Sequence, residues 1–293
     1  MLNTTTVLTT IFTYIDDYCK QNATIKPGPK PKMSDSEIIT IAIFCELIGK
    51  TSEYSHIRYV FQWLEDYFPH IIDRSRYHRR LKNLTKSINN VRMVVLPEIV
   101  SYLSLQIIDS TPVPVLSFRR AGFTPLFPEA SYGHCAARRM TYYGFKLHLV
   151  TDITGIPLHF DITPANVSDV SIMEELLSAV SGNATVLADK GYVSKSISDK
   201  LLRENLTEVW TPKRRNQKDR GNKSKRRYLN GLRQKIEIVN GILKGQFQLE
   251  NTLAKTLSGL ISRIVRKITA LTFGILINKL NGRELLQIKS IIN

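Results

Sequence analysis

From residue 105 onward, strand-like and helix-like runs follow one another in an order that limits the fold more than any other feature of the sequence. The segments LQIIDSTPVPV, TYYGFKLHLVTD and IPLHFDITPAN predict three consecutive strands, separated by turn residues such as Asp152 to Gly155. Next come a helical run after Ser168, the strand ATVLADKGY, a short helix from about Ser196 to Arg203, and the strand EVWTPKR. The order βββαβαβα predicts an α/β domain.

The second predicted strand has two chemically different faces. Alternate residues of a strand point to opposite sides of the sheet, so its apolar and polar side chains separate. Lys146 and His148 share the polar side, where we expect exposure to solvent, and an approach to a DNA backbone is the functional alternative. The apolar side carries Tyr143, Phe145, Leu147 and Leu149.

The first hundred residues predict helices. After a linker at 26–33, Ser34 and Glu37 form a capping-box pattern ahead of an apolar run with helical spacing, and a second such run extends to Pro69. Residues 75–84 then predict a short basic helix capped by Ser75. Three short helices of which the last is basic are typical of a helix-turn-helix-like module, and a solvated basic helix face is the alternative. The basic side chains of this helix are Arg76, Arg79, Arg80 and Lys82.

The chain carries a large excess of positive charge. It has 41 Lys and Arg residues against 25 Asp and Glu residues, a formal net charge of +16. This excess calls for a polyanionic partner, with nucleic acid as the first candidate and an anionic membrane surface as the competing one. The longest apolar stretch, from about Ile268 to Leu280, is shorter than the ~20 residues that a membrane span needs. The first residues contain no signal-peptide pattern, so we expect a cytoplasmic protein with no membrane segment.

The segment KRRNQKDRGNKSKRR, residues 213–227, concentrates this charge. It has nine basic side chains, one acidic side chain and no aliphatic residue, and it therefore predicts a mobile basic loop. Helix is predicted to resume at about Leu229, and a last helical region runs from about Leu253 to Leu280. Arginines in that last region are further candidates for anion contacts. The loop's candidate DNA-binding residues are Lys213, Arg214, Arg215, Arg226 and Arg227.

Three acidic residues lie at positions where a carboxylate could be catalytic. Asp109 and Asp189 each follow an apolar run, where a predicted strand leaves the core, and turn residues are the simple alternative for both. Glu237 lies on a predicted helix, and helical spacing puts Arg233 and Lys244 on the same polar face. The alternative for this face is an exposed surface with charge pairs between successive turns.

These carboxylates can converge on one point if both strands belong to one sheet and the helix packs beside it. Three acidic groups then need counter-charge, which two divalent cations about 3.5 to 4 Å apart would supply. Such a pair activates a water or a 3′-hydroxyl group and stabilises the leaving oxygen at a phosphodiester. Hard oxygen ligands favour Mg²⁺ or Mn²⁺ over zinc, and the three cysteines lack the CxxC spacing of a zinc site.

Four motifs together make the sequence resemble the DDE transposases of bacterial insertion sequences. They are IIDSTPV around Asp109, YYGFKLHLVTDITGIPL with the following PANVSD, LADKGY around Asp189, and a helix pattern in which three residues separate Arg233 from Glu237 and six separate Glu237 from Lys244. The resemblance covers residues 100 to 280 and is specific in combination. One position departs from the family pattern, because Asn230 stands where a tyrosine is often found.

The resemblance implies an RNase H-like fold, in which helices flank a mixed sheet, for a catalytic domain at 101–293 that includes the C-terminal helices. Residues 1–100 would form the N-terminal DNA-binding module. Asp109, Asp189 and Glu237 would hold two Mg²⁺ ions, for which Mn²⁺ would substitute. Arg233 and Lys244 would be further catalytic residues that contact the DNA phosphate or sugar beside the cleaved bond.

The resemblance also implies an activity and its partners. The chain would bind the terminal inverted repeats of its own element, cut double-stranded DNA there, and join the freed 3′-hydroxyl to target DNA, acting as a homodimer at the bacterial nucleoid. Trp210 would stack on an extruded base, and a buried core tryptophan is the alternative. The competing functions are a DNA-binding regulator or inactive copy without catalysis, and a nuclease that cuts without joining.

Overall fold

The computed structural model of the chain describes residues 2–23, 28–101, 104–178, 183–211 and 223–291. The chain forms two compact units, which we call the helical unit (Met1–Ile99 and Ile242–Asn293) and the sheet unit (Val100–Gly241). The helices, numbered in chain order, are α1 (Thr4–Gln21), α2 (Asp35–Leu47), α3 (Glu53–Trp63), α4 (Arg74–Asn83), α5 (Thr85–Ile99), α6 (Phe118–Ala121), α7 (Asp169–Ser178), α8 (Lys195–Asn205), α9 (Lys223–Gly245) and α10 (Leu257–Leu280). The strands are β1 (Leu105–Leu116), β2 (Ser131–Cys135), β3 (Met140–Asp152), β4 (Pro157–Pro164), β5 (Thr185–Leu187) and β6 (Glu208–Trp210).

The start of α2 forms as the sequence predicts. The Ser34 hydroxyl accepts a hydrogen bond from the backbone N–H of Glu37 at 3.0 Å, and the Glu37 carboxylate accepts one from the backbone N–H of Ser34. This capping box satisfies backbone donors that the first turn of a helix leaves without partners. Every residue of α2 from Ile38 to Leu47 is buried, so this helix lies at the centre of the helical unit.

The basic helix α4 begins one residue earlier than predicted and has a different cap. The Asp73 carboxylate, and not the Ser75 hydroxyl, accepts from the backbone N–H groups of Ser75 and Arg76, both at 3.0 Å. A carboxylate is the stronger acceptor and also interacts favourably with the positive end of the helix dipole. Helices α2, α3 and α4 pack against one another, as the three members of a helix-turn-helix-like module would.

The last helix joins the helical unit, whereas the sequence assigned it to the catalytic domain. The Lys267 ammonium donates to Glu46 at 3.0 Å, and the Arg266 guanidinium donates to Glu53 at 3.1 Å; Lys267, Arg266 and Glu46 are each at most 1% exposed. Arg263 also pairs with Glu53, at 2.8 Å. These cations of α10 are therefore committed to carboxylates of α2 and α3, and the expectation that the C-terminal arginines contact DNA is wrong for Arg263 and Arg266.

The stability of the helical unit is expected to fall as the pH drops below about 6.5. Burial and the nearby Arg266 guanidinium lower the pKa of His56 to about 3, so the folded state keeps this imidazole neutral while the unfolded chain takes up a proton. The neutral ring bonds the Lys50 carbonyl at 2.8 Å and the Tyr77 hydroxyl at 3.1 Å. Below pH 6.5 the free energy of unfolding therefore falls by about 1.4 kcal/mol for each pH unit, or about 2 kcal/mol between pH 6.5 and pH 5.

Denaturant unfolding of the full chain and of His56→Gln at pH 7 and pH 5 measures this loss as the difference between the two proteins, because the other titrating groups contribute equally to both. His56→Gln keeps a polar side chain without a titrating group and should lack the loss, whereas the matched change at the exposed His70, His70→Gln, should leave the pH dependence as in the parent. Equal pH dependence of the parent and His56→Gln would show that His56 is not the group responsible.

One mixed sheet organises the sheet unit. Within the described residues its strand order is β2-β3-β1-β5-β6, with β4 also pairing β3. Strands β1, β3 and β4 form the predicted antiparallel meander, while β5 runs parallel to β1 and β6 parallel to β5. Apolar side chains of these strands pack with α7 and α8 in one buried cluster. The predicted α/β class, a mixed sheet flanked by helices, is confirmed.

Three local expectations about the sheet unit differ from the structure. Strand β2, which includes His134 and Cys135, lies between the first two predicted strands, in a segment where the sequence predicted no strand, and it forms by pairing with the first half of β3. Helix α9 begins at Lys223, within the predicted basic loop, since long straight side chains such as Lys and Arg are good helix formers. His148 is fully buried rather than exposed.

No helix in the part of the chain that the structure describes is both long and apolar enough to cross a membrane.

Candidate active site

The pairing of β1 with β5 brings Asp109 and Asp189 close together at the carboxyl end of β5. These strands are parallel and Ile107 lies directly beside Leu187. Two residues further along each strand direction come Asp109 and Asp189, and side chains two residues apart on a strand point to the same face. The sequence placed Asp189 correctly, just after β5, but the expectation that Asp109 ends its strand is wrong, because β1 continues to Leu116 by pairing with β3.

Helix α9 presents a polar face to these two aspartates. The Arg233 guanidinium lies 3.4 Å from the Asp189 carboxylate, and the Asn240 amide donates a hydrogen bond to the Asp109 carboxylate at 3.0 Å. Arg233 and Asn240 are seven residues apart, which is two helical turns, so they share one side of the helix. Glu237 lies between them in sequence and is exposed.

The three acidic side chains interact electrostatically at Asp109. Burial raises the pKa of Asp109 to about 6, and repulsion from Asp189 and Glu237 adds to this rise, while the Arg233 guanidinium and a backbone hydrogen bond oppose it. A group with this pKa carries its charge at pH 7 only at a cost to the folded state. Arg233 therefore supplies part of the counter-charge that this acidic cluster needs.

The donor set suits a hard divalent cation, although its present spacing is not that of a closed metal site. In the described part of the chain no three His, Cys, Asp or Glu side chains are arranged to hold a metal ion. The chemistry nevertheless fits Mg²⁺ or Mn²⁺, because carboxylate oxygens are the preferred ligands and a cation would relieve the repulsion that raises the pKa of Asp109. The residues that could hold it are Asp109, Asp189 and Glu237.

Asn240 is a site residue that the sequence analysis missed. It is 6% exposed, and its side-chain oxygen is buried with no hydrogen-bond partner among the described residues. The signal for it was present in the sequence, because Asn240 lies three residues after Glu237 and so continues the polar face of the same helix. Its amide fixes one oxygen of Asp109.

The structure places Lys244 in the helical unit, at the end of α9. Its ammonium group lies 3.7 Å from the Glu250 carboxylate, and its side chain is 22% exposed. Lys244 follows Glu237 by two helical turns, as the sequence indicates, and its contact with DNA stays a prediction.

The candidate DNA-binding residues of α4 have different roles in the fold. Arg76, Arg79 and Lys82 are exposed. Arg80 is tied down instead, because its guanidinium donates to the Met33 carbonyl at 2.7 Å and to the Asp35 carboxylate. These bonds make Arg80 a structural residue of the helical unit.

The structure describes only some of the remaining residues that were predicted to contact DNA. Arg227 is exposed on α9, whereas Lys213, Arg214, Arg215 and the side chain of Arg226 lie outside the described residues. Trp210 ends β6 beside Leu187 and is half-buried, so it is neither a fully buried core residue nor an open stacking platform.

Comparison with known proteins adds a family. A profile described as the transposase DDE domain matches residues 103–273, more than half of the chain. The sequence matches none of the curated proteins with which it was compared. Among solved structures, the Mos1 transposase paired-end complex with left transposon end is 9% identical, with a TM-score of 0.23, covering 79% of this chain and 83% of that chain. The Mos1 strand transfer complex is 12% identical, with a TM-score of 0.21, covering 81% of this chain and 83% of that chain. The extent of the profile match establishes that the chain belongs to the transposase DDE domain family.

Proposed function

We propose that this chain is the transposase of a bacterial insertion sequence, which cuts DNA at the ends of its own element and joins the freed ends to target DNA. The observation that carries this proposal is the register of β1 and β5, which sets Asp109 beside Asp189 under the polar face of α9. Glu237 belongs to that helix and acts electrostatically on Asp109. In a chain of this family, such a cluster suits phosphodiester chemistry.

The proposed reaction has two displacements at phosphorus. In the first, a water oxygen attacks the phosphodiester at the element's end, the bond to the 3′ oxygen breaks, and a 3′-hydroxyl and a 5′-phosphate result. In the second, that 3′-hydroxyl attacks a phosphodiester of target DNA, forms a new bond to phosphorus, and releases a target 3′-hydroxyl. The number of phosphodiester bonds is conserved in the second step, so it needs no outside energy source.

The chain's own residues would position these steps. Asp109, Asp189 and Glu237 would hold two Mg²⁺ ions, or Mn²⁺ in their place, which would lower the charge barrier for the entering and leaving oxygens. Asn240 holds the Asp109 carboxylate in one orientation. Arg233, whose side chain is 17% exposed, would turn from Asp189 to the phosphate beside the cleaved bond, and Lys244 would contact the neighbouring backbone.

DNA would be bound through the exposed basic residues of α4 and the segment 213–227. Two copies of the chain would each hold one terminal inverted repeat, which makes a homodimer the smallest complete assembly. The positive charge of +16 favours this partner, because phosphate neutralisation supplies most of the affinity for DNA. We place this reaction in the cytoplasm, at the nucleoid.

Arg79→Ala and Lys82→Ala are each expected to weaken binding to the element's ends. Each change removes one phosphate contact, so affinity should fall for all sequences alike, and the slope of log affinity against log salt should decrease by about 1. Fluorescence anisotropy with labelled end DNA at several salt concentrations measures both effects. Lys20→Ala, which removes an exposed lysine of α1, is the matched control and should bind as the parent does.

Arg80→Ala separates folding from binding in the same helix. It removes the bonds to Met33 and Asp35 and should lower the free energy of unfolding by about 1 to 3 kcal/mol. A full loss of affinity in Arg80→Ala without any loss of stability, together with unchanged binding in Arg79→Ala and Lys82→Ala, would contradict this assignment.

Strand joining distinguishes the transposase from a nuclease of the same fold. A labelled oligonucleotide that ends in the element's 3′-hydroxyl is incubated with the chain, Mg²⁺ and a target plasmid. Covalent transfer of the label to the plasmid is the expected result. Cleavage without transfer would favour a nuclease, and binding without either reaction would favour a regulator or inactive copy.

A further inference from the structure

A second polar cluster lies next to the carboxylates and takes no part in the chemistry described above. We call Ser110, Lys146, Asp169 and Gly191 the Asp169 cluster. The Lys146 ammonium donates to one oxygen of Asp169 at 2.7 Å, and the Ser110 hydroxyl donates to the other at 3.0 Å. Lys146 also donates to the Val167 carbonyl at 2.6 Å. Asp169 therefore receives bonds from both β1 and β3.

The loop that carries Asp189 packs directly on the same carboxylate. A side chain at Gly191 would place its first carbon 2.9 Å from the Asp169 oxygen that Ser110 also contacts, which is closer than such atoms approach. The backbone of this loop and the carboxylate are thus in close contact. Gly191 is two residues after Asp189, and Ser110 directly follows Asp109.

The neighbouring buried groups hold the other side of this loop. Tyr192, 1% exposed, bonds His148 through its hydroxyl at 3.1 Å, and His148 bonds the Thr163 hydroxyl at 2.8 Å. The backbone N–H of Tyr192 also donates to the Asp189 carbonyl at 3.0 Å. The segment after Asp189 is therefore held by His148 of β3, which Thr163 of β4 orients, and by its close contact with Asp169.

We propose that Asp169 is a positioning residue that sets the separation of Asp109 and Asp189, so that together they can hold divalent cations. The segments that carry the two aspartates both pack on the same oxygen of this carboxylate, through the Ser110 hydroxyl and through the close approach of Gly191. Lys146 neutralises Asp169 and so keeps its negative charge from adding to the repulsion in the acidic cluster. This inference rests on the proposed function, because it assigns the carboxylates to a metal site.

If Asp169 served only to cap α7, a different set of side chains would be tolerated at this position. This residue lies in the first turn of α7, where any short polar side chain is tolerated. An amide in its place would keep the size and one acceptor, but it would lose the ion pair with Lys146 and one of the two accepted hydrogen bonds. Asp169→Asn therefore separates positioning from capping.

The test measures metal binding and loop motion as well as activity. Mn²⁺ affinity of the full chain, from the electron paramagnetic resonance signal of free Mn²⁺, should weaken about tenfold in Asp169→Asn, as is typical when a group that orients a ligand is lost. Nicking should need about tenfold more Mn²⁺ and recover at saturating metal. Hydrogen exchange of the Tyr192 amide, without metal, should become about tenfold faster.

The matched control lies on the same helix. Glu174→Gln breaks the ion pair of Glu174 with Lys200, whose atoms are 2.6 Å apart, and should change none of the three measurements. Ser110→Ala removes one contact of the cluster with little risk to folding and should shift all three in the same direction by a smaller factor. Lys146→Met combined with Asp169→Asn should cost no more than Asp169→Asn alone, because the pair acts as a unit.

The outcomes distinguish a failure of the positioning role of Asp169 from a failure of the proposed function. If the parent binds Mn²⁺ and nicks DNA, while Asp169→Asn and Ser110→Ala match it in Mn²⁺ affinity and in exchange at Tyr192, the positioning role is overturned. If the parent neither binds Mn²⁺ nor nicks DNA, the proposed function fails. The exchange contrast between Asp169→Asn and Glu174→Gln then still decides whether Asp169 holds the loop.

Discussion

Asp109→Asn is expected to reduce DNA cleavage by about a thousandfold or more and, at the same time, to make the folded protein more stable. The first effect follows because an amide is a poor ligand for a divalent cation. The second follows because burial and the charges of Asp189 and Glu237 raise the pKa of Asp109 to about 6. Because the pKa of Asp109 is higher in the folded state than in the unfolded chain, its contribution to stability is complete below the unfolded pKa and is lost as the pH rises through 6. At pH 7.5 the ionised carboxylate therefore lowers the free energy of unfolding.

The expected gain in the free energy of unfolding is about 1 to 2 kcal/mol at pH 7.5, without metal. Denaturant unfolding and a nicking assay on the same preparation measure the two effects. Asp189→Asn is the matched comparison: its side chain is 48% exposed and pairs with Arg233, so cleavage should be lost while stability stays nearly unchanged. Loss of stability in Asp109→Asn would mean that its carboxylate serves the fold and not the chemistry.

Lys267→Met is expected to lower the free energy of unfolding by about 3 to 5 kcal/mol. The change leaves Glu46, which is 0% exposed, without the ammonium group that donates to it at 3.0 Å. Burial raises the pKa of Glu46 and lowers the pKa of Lys267, and the attraction between the two groups opposes both shifts. Glu46 keeps the Arg266 guanidinium at 3.6 Å, but Arg266 is also paired with Glu53, so a buried carboxylate that has lost its hydrogen-bonded ammonium bears much of the cost of leaving water.

Replacing both members of the pair tests this reason. Glu46→Leu with Lys267→Met exchanges the ion pair for apolar side chains and should recover most of the stability, because desolvation is no longer required. Lys279→Met, near the end of the same helix, is the control for the loss of a lysine; it removes an exposed ammonium that donates to the Glu98 and Ile99 carbonyls and should cost about 1 kcal/mol. Equal stability of the single and double variants would contradict a role for the ion pair.

The parts of the fold that depend on local pattern could be predicted from the sequence. The capping box at Ser34, the antiparallel meander and the position of Asp189 after β5 each follow from residues that are close in the chain, whereas Asp109, predicted at a strand end, lies inside β1. Strand β2 could not be predicted in this way, because its residues lack an alternating pattern and are ordered by pairing with β3. Pairing is a tertiary effect that overrides weak local preference.

The same distinction applies to charged residues. Sequence reasoning places Lys and Arg on the surface and therefore predicts that Arg266 and Lys267 are exposed. They are buried because they pair with Glu53 and Glu46, more than two hundred residues away in the chain. The bond from Asn240 to Asp109 spans 131 residues. Spacing on a helix indicates which side chains share a face, but it cannot indicate which carboxylate that face will meet.

Metal-dependent nicking of supercoiled DNA tests the central claim most directly. Plasmid that carries the sequences flanking the gene is incubated with the purified full chain in Mg²⁺, in Mn²⁺ or in EDTA, in parallel with Asp109→Asn, Asp189→Asn and Glu237→Gln. Nicks at defined ends of the element, which require the metal and are lost in all three variants while end binding is retained, are the predicted result. Nicking that persists in EDTA, or in any one of the three variants, would contradict the assignment of these carboxylates as the catalytic site.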